Sequence, residues 1–225
     1  MPAITLLPTR MPEAHLRHLA GLLDAKERNR LARLRRSEDK RRYIVAHAGL
    51  RWLLAERLRV TPSSLRFVRG EHGKPELADA RVHGVHFNLS HASELAAVAI
   101  CDHPVGIDIE HLDATLDPAT ADLVFTEEEK RRCRTHADHL RTWTAKEAVV
   151  KACGLGMNLP LRHFSVGLST NTFQPITCHE PVADLETLMV TNFDALPGYY
   201  GGISVQSAAK PILIRIVDLI KAIPP

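Results

Sequence analysis

Two carboxylates at the end of a short apolar segment are the first residues in this sequence that could do chemistry. Residues 105–110 read V-G-I-D-I-E, an alternation typical of a β-strand, so Asp108 and Glu110 project from one face and Ile107 and Ile109 from the other. Neighbouring carboxylates repel, and Mg²⁺ together with substrate phosphate oxygens relieves that repulsion. Taken alone, the pair is better explained as an exposed strand end.

A second segment, residues 143–151, reads W-T-A-K-E-A-V-V-K. On a helix, steps of four place Trp143, Glu147 and Lys151 along one stripe, so a base and a cation share a face. A Glu–Lys pair at this spacing also stabilises an ordinary helix by about 0.3 to 0.5 kcal/mol. For an arbitrary helix that is the better explanation, and Trp143 alone could be a core residue.

A basic cluster lies near the start of the chain, although the net charge is only +3. Such a cluster attracts phosphate or an acidic partner. A solvated helix face balanced by Glu27, Glu38 and Asp39 is about as good an explanation. The cationic residues of the cluster are Lys26, Arg28, Arg30, Arg33, Arg35, Arg36, Lys40, Arg41 and Arg42.

The elements that must position these residues follow from periodicity and capping signals. Residues 1–104 form one predicted half and residues 105–225 the other, each with helices and antiparallel strands. Capping boxes are predicted at Asp24 with Glu27 and at Thr126 with Glu129, and Ser37 is a further predicted cap. Predicted helices span 12–23, 38–58, 127–136 and 138–153, and predicted strands span 65–69, 82–89, 95–101, 105–110, 164–168, 199–205 and 211–217.

The two halves resemble each other when one is shifted along the other by 100 residues. This shift places Tyr43, His47 and Arg51 over Trp143, Glu147 and Lys151. The capping boxes overlay at nearly the same offset. Each match alone is explained equally well by chance. The matches together suggest a duplicated helix-plus-sheet unit with a ligand groove between the copies.

Composition indicates an ordinary soluble globular protein. The 225 residues are 45% hydrophobic and 24% charged. No run approaches the roughly 18 apolar residues of a membrane helix. The first ten residues lack the pattern of a secretory signal, so we expect a cytoplasmic protein without a membrane partner.

The strand segment V-G-I-D followed by W-T-A-K-E-A-V-V-K resembles the paired signature of the 4′-phosphopantetheinyl transferase superfamily. Upstream, G-K-P at 73–75 and F-N-L-S-H at 87–91 also resemble the family in order and spacing, particularly its longer monomeric type, named for activators of surfactin synthetase. The resemblance covers about residues 24–168. Asp108 and Trp143 stand closer together than is usual in the family, and the last 55 or so residues carry no recognisable motif.

The resemblance implies an α+β monomer whose two halves are related by a pseudo-twofold axis, with the active site between them. It implies an enzyme that transfers the 4′-phosphopantetheine of coenzyme A to a serine of an apo acyl or peptidyl carrier protein and releases 3′,5′-ADP. Asp108 and Glu110 would hold Mg²⁺. Glu147 would complete the metal site, act as general base, or both, and Lys151 would neutralise charge on the departing pyrophosphate.

The resemblance also assigns residues of the first half to coenzyme A. Lys74, Ser90 and His91 match positions that contact its nucleotide portion. Arg42 stands where the family has a basic phosphate contact, and Arg28 and Arg30 fall near two more. On this reading the basic cluster is a site for the 3′-phosphate, because a dianion needs several fixed cations. Without the resemblance, His91 could equally be a structural turn histidine.

Two other functions compete with this one. A nucleic-acid-binding module would use the basic stretch 26–42 against phosphates, but it leaves the carboxylate pair unexplained. A non-catalytic homologue that only binds coenzyme A would not need Asp108, Glu110, Glu147 and Lys151 together. The sequence does not identify the carrier protein or its pathway, and no nucleic-acid partner is expected.

Overall fold

The computed structural model describes residues 2–78, 84–182, 185–206 and 212–224. The helices are α1 Glu13–Gly21, α2 Ala25–Arg33, α3 Ser37–Leu58, α4 Pro118–Val124, α5 Glu127–Arg132, α6 His136–Cys153 and α7 Leu219–Ala222. The strands are β1 Ala3–Pro8, β2 Phe67–Arg69, β3 Pro75–Leu77, β4 His86–Ala92, β5 Leu95–Cys101, β6 Val105–His111, β7 Phe164–Ser165, β8 Gln174–Pro175, β9 Thr177–Cys178, β10 Leu188–Leu196, β11 Tyr199–Gln206 and β12 Leu213–Ile216.

Both predicted capping boxes are present, at Asp24 before α2 and at Thr126 before α5. A further box at Thr135 explains why α6 begins at residue 136, two residues before the predicted start, and why α5 ends early at Arg132. Ser37 does not cap a helix but is the first residue of α3. The predicted strands 82–89 and 211–217 begin at residues that lie outside the described part of the chain.

Two four-stranded sheets organise the described residues. The first has the order β12-β1-β5-β4 and the second the order β6-β11-β10-β8. In each, a central strand (β5 or β11) pairs antiparallel with a neighbour on both sides. The expected α+β fold with two similar halves is therefore confirmed. No helix in the described ranges is long and apolar enough to cross a membrane.

Helix α6 lies directly on the second sheet because two glycines leave room for its backbone. A Cβ atom on Gly106 would stand 2.1 Å from the carbonyl oxygen of Ala148, and one on Gly202 would stand 2.4 Å from that of Thr144. Any side chain at these positions would push the helix away. This close approach brings the residues of α6 next to β6.

The two sheets meet where strand β4 runs beside strand β6, and side chains replace a backbone ladder there. The Asn88 Oδ1 atom accepts a hydrogen bond from the Ile107 amide at 2.9 Å. The Ser90 hydroxyl accepts one from the Ile109 amide at 3.4 Å. Polar side chains of the first half thus fix the strand that carries Asp108.

The segment 212–224 returns to the first half. Strand β12 pairs in parallel with β1, and Leu219 and Ile223 are buried in the core beneath α3. The carbonyl oxygen of Ile223 lies 3.1 Å from His15 Nε2. Residues that the sequence groups with the second half therefore pack on the first-half sheet.

Candidate active site

The carboxylate of Asp108 lies between the halves and is only 5% exposed. Its Oδ1 atom is 2.6 Å from the Lys151 ammonium and accepts a hydrogen bond from the Ser90 hydroxyl at 2.8 Å. Its Oδ2 atom is buried and has no hydrogen-bond partner among the described residues. An unsatisfied buried carboxylate oxygen is costly, so this atom favours binding of a positive ligand.

The two neighbouring glutamates are also affected by Asp108. The pKa of Glu110 is raised to about 7, first by burial and second by the charge of Asp108. Burial likewise raises the pKa of Glu147, and the Asp108 charge adds to it, while Lys151 acts in the opposite direction. The charges of Asp108, Glu110, Glu147 and Lys151 therefore act on one another. A divalent cation among them would lower the raised pKa values of both glutamates.

A metal cage is not already assembled from protein groups. In the described part of the chain, no three His, Cys, Asp or Glu side chains converge closely enough to hold a metal ion. Magnesium, however, commonly binds through one or two carboxylates and completes its shell with water and substrate phosphate. The unpartnered Asp108 Oδ2 and the adjacent Glu110 fit such a site.

Arg42 and His91 stand on the first-half side of the same region. Together with Glu110 they line a cavity of about 530 Å³. Burial lowers the pKa of His91, and the charges of Arg42 and Lys151 act in the same direction. Arg42 forms an ion pair with Asp39, so one acidic residue of the basic stretch does balance a cation.

Lys74 lies at a different cavity, of about 710 Å³. Its ammonium donates to the carbonyl oxygens of Val105 at 3.0 Å and Ala152 at 3.1 Å. Burial lowers its pKa to about 8. None of its hydrogen bonds in the described ranges reaches Asp108, so the structure does not bring Lys74 into the carboxylate group.

Arg28 and Arg30 are exposed on α2, a helix none of whose residues is buried. Arg28 donates to the carbonyl oxygen of Leu23. Arg30 stands near Tyr43. Burial raises the pKa of Tyr43 to about 12, and the charge of Arg30 acts in the opposite direction. These two arginines flank the site on the first half and do not contact Asp108 in the described residues.

Some residues that shape the site were missed by sequence analysis. Asn88, which bonds to β6, was not predicted, and its i, i+2 spacing from Ser90 in a strand was the available signal. Ser90 was predicted only as a coenzyme A contact, and its bonds to β6 and Asp108 were not expected. Glu27 was expected to balance the charge of the basic cluster, but its carboxylate binds the buried Arg51, which is not part of that cluster. No local pattern reports a partner 24 positions away.

Comparison with known proteins identifies the family of this chain. A family model described as the 4′-phosphopantetheinyl transferase superfamily matches residues 104–192, and one described as 4′-phosphopantetheinyl transferase, N-terminal, matches residues 10–103. The chain belongs to the 4′-phosphopantetheinyl transferase superfamily. The resemblance found in the sequence is therefore confirmed.

Three relatives indicate how similar this chain is to named members. The 4′-phosphopantetheinyl transferase gsp of Aneurinibacillus migulanus is 30% identical over 196 residues, which are 79% of this chain and 81% of the relative. HetI of Nostoc sp. is 35% identical over 67% of this chain and 68% of its own. Sfp of Bacillus subtilis is 30% identical over 66% and 67%, respectively. These relatives give no support to the nucleic-acid-binding or non-catalytic alternatives.

Proposed function

We propose that this protein transfers the 4′-phosphopantetheine moiety of coenzyme A to a serine hydroxyl of an apo carrier protein and releases 3′,5′-ADP. Family membership supports the activity. The observation that carries it is the buried Asp108, which binds Lys151 through one oxygen, while the other oxygen has no partner within the described ranges. This arrangement suits a phosphate ligand accompanied by a cation.

Magnesium is the cation that we propose. Asp108 Oδ2 and Glu110 would hold it. Glu147 is near enough to this site for the charge of Asp108 to raise its pKa. When bound, Mg²⁺ offsets the negative charge of the pyrophosphate. The hydroxyl of Ser90 keeps the Asp108 carboxylate oriented, because it donates to Oδ1 from a buried position.

Glu147 and Lys151 carry the chemical step in this proposal. The serine oxygen forms a bond to the phosphorus that bears pantetheine, and the phosphoanhydride bond breaks with its electrons on the departing 3′,5′-ADP oxygen. Glu147 accepts the serine proton as general base. Lys151 offsets charge that grows on the leaving group.

The nucleotide of coenzyme A occupies the first half in this proposal. Arg42 and His91 contact the 3′-phosphate from the cavity beside Glu110, and Arg28 and Arg30 of α2 add positive charge. Lys74 is a further nucleotide contact. Backbone carbonyls accept two of the three hydrogen bonds that its ammonium can donate, which leaves the third for the nucleotide.

We further propose that the chain acts as a monomer in the cytoplasm on an acyl or peptidyl carrier protein. Support for the monomer comes from the site itself, since β4 of one half and β6 with α6 of the other supply Ser90, Asp108 and Lys151 within one chain. A second copy would not be needed to complete the site.

Mass spectrometry of apo carrier proteins tests the proposed function. Incubation with this protein, coenzyme A and magnesium should increase the carrier mass by one phosphopantetheine, and the Asp108→Asn variant should give no increase in the same time. A panel of fatty-acid, polyketide and peptide carriers that all stay unmodified with the wild-type protein would overturn the proposal. Oligonucleotide binding with steep salt dependence in that case would favour the nucleic-acid alternative.

A further inference from the structure

Arg51 is a fully buried cation that the proposed chemistry does not use. Its side chain lies on α3 and is 0% exposed. The Nε atom donates to Glu27 Oε2 and an Nη2 hydrogen to Asp24 Oδ2, both at 2.6 Å. These two carboxylates form the capping box of α2, so Arg51 holds the start of that helix.

The other side of the guanidinium binds the chain that follows α3. The Nη1 atom donates to the carbonyl oxygens of Pro62 at 3.0 Å and Leu65 at 3.3 Å. The guanidinium also stands 4.9 Å from the centre of the Phe67 ring. Phe67 begins the β2–β3 hairpin, whose turn carries Lys74, so Arg51 fixes the base of that hairpin.

Helix α2 has few other contacts with the first half: the partly buried Leu31 packs against the core, and His47 Nδ1 lies 3.3 Å from Glu27 Oε1. None of its residues is buried, and a nine-residue helix is marginal without packing. Its attachment therefore depends largely on the partly buried ion pairs of Arg51 at its N-terminus, and loss of Arg51 would leave two carboxylates without this cation. Arg28 and Arg30 are carried by this helix, and their placement depends on the same contacts.

Helix α3 itself carries Arg42, nine positions before Arg51 and roughly two and a half turns away. Three elements that bear proposed nucleotide contacts thus meet at one guanidinium. They are α2 with Arg28 and Arg30, the β2–β3 hairpin with Lys74, and α3 with Arg42.

The second half contains the same arrangement around Lys146. This lysine is also 0% exposed and stands 2.9 Å from Glu129, the capping-box glutamate of α5. Its ammonium donates to the carbonyl oxygens of Leu161 and Phe164, both at 2.7 Å, and lies 4.5 Å from the centre of the Phe164 ring. The next residue along α6 is Glu147, the proposed base.

The repeat differs from the one suggested by the 100-residue shift, which places Arg51 over Lys151. In the structure Arg51 corresponds to Lys146 by its environment. The chemistry of the two cations fits their partners. The ammonium of Lys146 can donate three hydrogen bonds, and its partners are one carboxylate and two carbonyls. Arg51 binds two carboxylates and two carbonyls, which requires the larger number of donors on a guanidinium.

We propose that Arg51 is the positioning residue of the coenzyme A nucleotide site, and that Lys146 has the corresponding role for the catalytic residues on α6. This inference rests on the proposed function, because it takes Arg28, Arg30, Arg42 and Lys74 as nucleotide contacts. Arg51 touches no substrate. It acts by fixing the positions of α2, α3 and the β2–β3 hairpin relative to one another.

Steady-state kinetics of Arg51→Lys tests the proposal, because lysine keeps the charge but lacks donors for both carboxylates and both carbonyls. The KM for coenzyme A should rise about ten-fold or more, while kcat at saturating coenzyme A stays within about two-fold of wild type. Titration of coenzyme A without a carrier should show the same weakening, and dephospho-coenzyme A should be weakened less. Arg57→Lys is the matched control on the same helix, since Arg57 makes an exposed pair with Asp102 and should change neither constant.

Lys146→Arg gives the reciprocal measurement and should lower kcat with little change in KM for coenzyme A. A fall in kcat and in melting temperature for Arg51→Lys with unchanged KM would show a purely structural residue and overturn the proposal. If Arg51→Lys does not fold, Glu27→Gln replaces it and should raise KM by about three-fold or more. An unchanged KM in that variant, or its failure to fold as well, also overturns the proposal. Absence of transfer by the wild-type protein would instead refute the proposed function, and the direct titrations remain interpretable.

Discussion

The ammonium of Lys151 lies 2.6 Å from the Oδ1 atom of Asp108, a residue 43 positions earlier in the chain. This bond joins α6 to β6 across the site. The alternative in which Lys151 serves only as the i, i+4 partner of Glu147 does not describe the structure, because no ion pair joins those two side chains in the described residues. Lys151 is therefore oriented toward the candidate metal region.

Turnover should depend completely on a divalent cation, because no group in the described part of the chain forms a hydrogen bond with Asp108 Oδ2. Asp108→Asn should be nearly as inactive as Asp108→Ala, since charge matters more than size, and circular dichroism should show a retained fold. Transfer is measured with excess chelator and again after Mg²⁺ is restored. Full activity of the wild-type protein in chelator would refute the metal assignment.

Arg42→Ala and His91→Ala should weaken coenzyme A more than dephospho-coenzyme A, which lacks the 3′-phosphate. Each lost charge-assisted contact should cost about 1.5 to 3 kcal/mol. Isothermal titration with both ligands measures the difference. Equal losses for the two ligands would place these residues elsewhere on the substrate.

Glu147→Gln and Lys151→Ala should slow single-turnover transfer to a saturating carrier by about 10² to 10⁴. The melting temperature of Glu147→Gln should stay near that of wild type, since no ion pair joins Glu147 to Lys151 in the described residues. Lys151→Ala should melt lower than Glu147→Gln, because it removes the partner of the buried Asp108 carboxylate. Coenzyme A should still bind. Glu128→Gln on the exposed face of α5 is the matched control and should leave transfer unchanged. Variants that melt several degrees lower but transfer at wild-type rates would contradict the mechanism.

Glu110 should make metal-free stability depend on pH. Its folded pKa of about 7 exceeds its ordinary value of 4.5, so the folded protein holds this proton more tightly than the unfolded chain. The resulting stability is fully present below about pH 4.5 and is lost as pH rises through about 7. Glu110→Gln cannot ionise, so it should match wild type near pH 4.5 and melt higher near pH 8.

Thermal melts in metal-free buffer across that range measure the difference between wild type and Glu110→Gln. The same variant should lose transfer activity, because it removes a proposed metal ligand. A melting difference that is constant with pH would mean that Glu110 does not titrate in this range.

Sequence periodicity predicted the strand of Asp108 and the helix of Glu147 because both signals are local. The Asp24 and Thr126 capping boxes were readable for the same reason. The bond from Lys151 to Asp108 was not predictable from either element, since it depends on how closely α6 approaches β6. The glycines that permit this approach, Gly106 and Gly202, carry no signal of their own until the helix is placed.

The role of Arg51 was hidden for a related reason. Its correspondence with Lys146 is one of environment, and the two residues stand at an offset different from that of the capping boxes. Burial and the two carbonyl partners, which only the folded chain supplies, reveal the repeat. Sequence comparison of the halves alone selected Lys151 instead.

The return of β12 to the first sheet affects the order in which the protein can fold during synthesis. The backbone amide of Leu213 donates to the carbonyl oxygen of Pro2 at 3.2 Å, so some of the first and last described residues are hydrogen-bonded neighbours. Strand β1 therefore emerges from the ribosome long before its parallel partner exists. The first half cannot complete its sheet ahead of the second, and the nascent chain must keep the β1 edge unpaired until translation has passed residue 216.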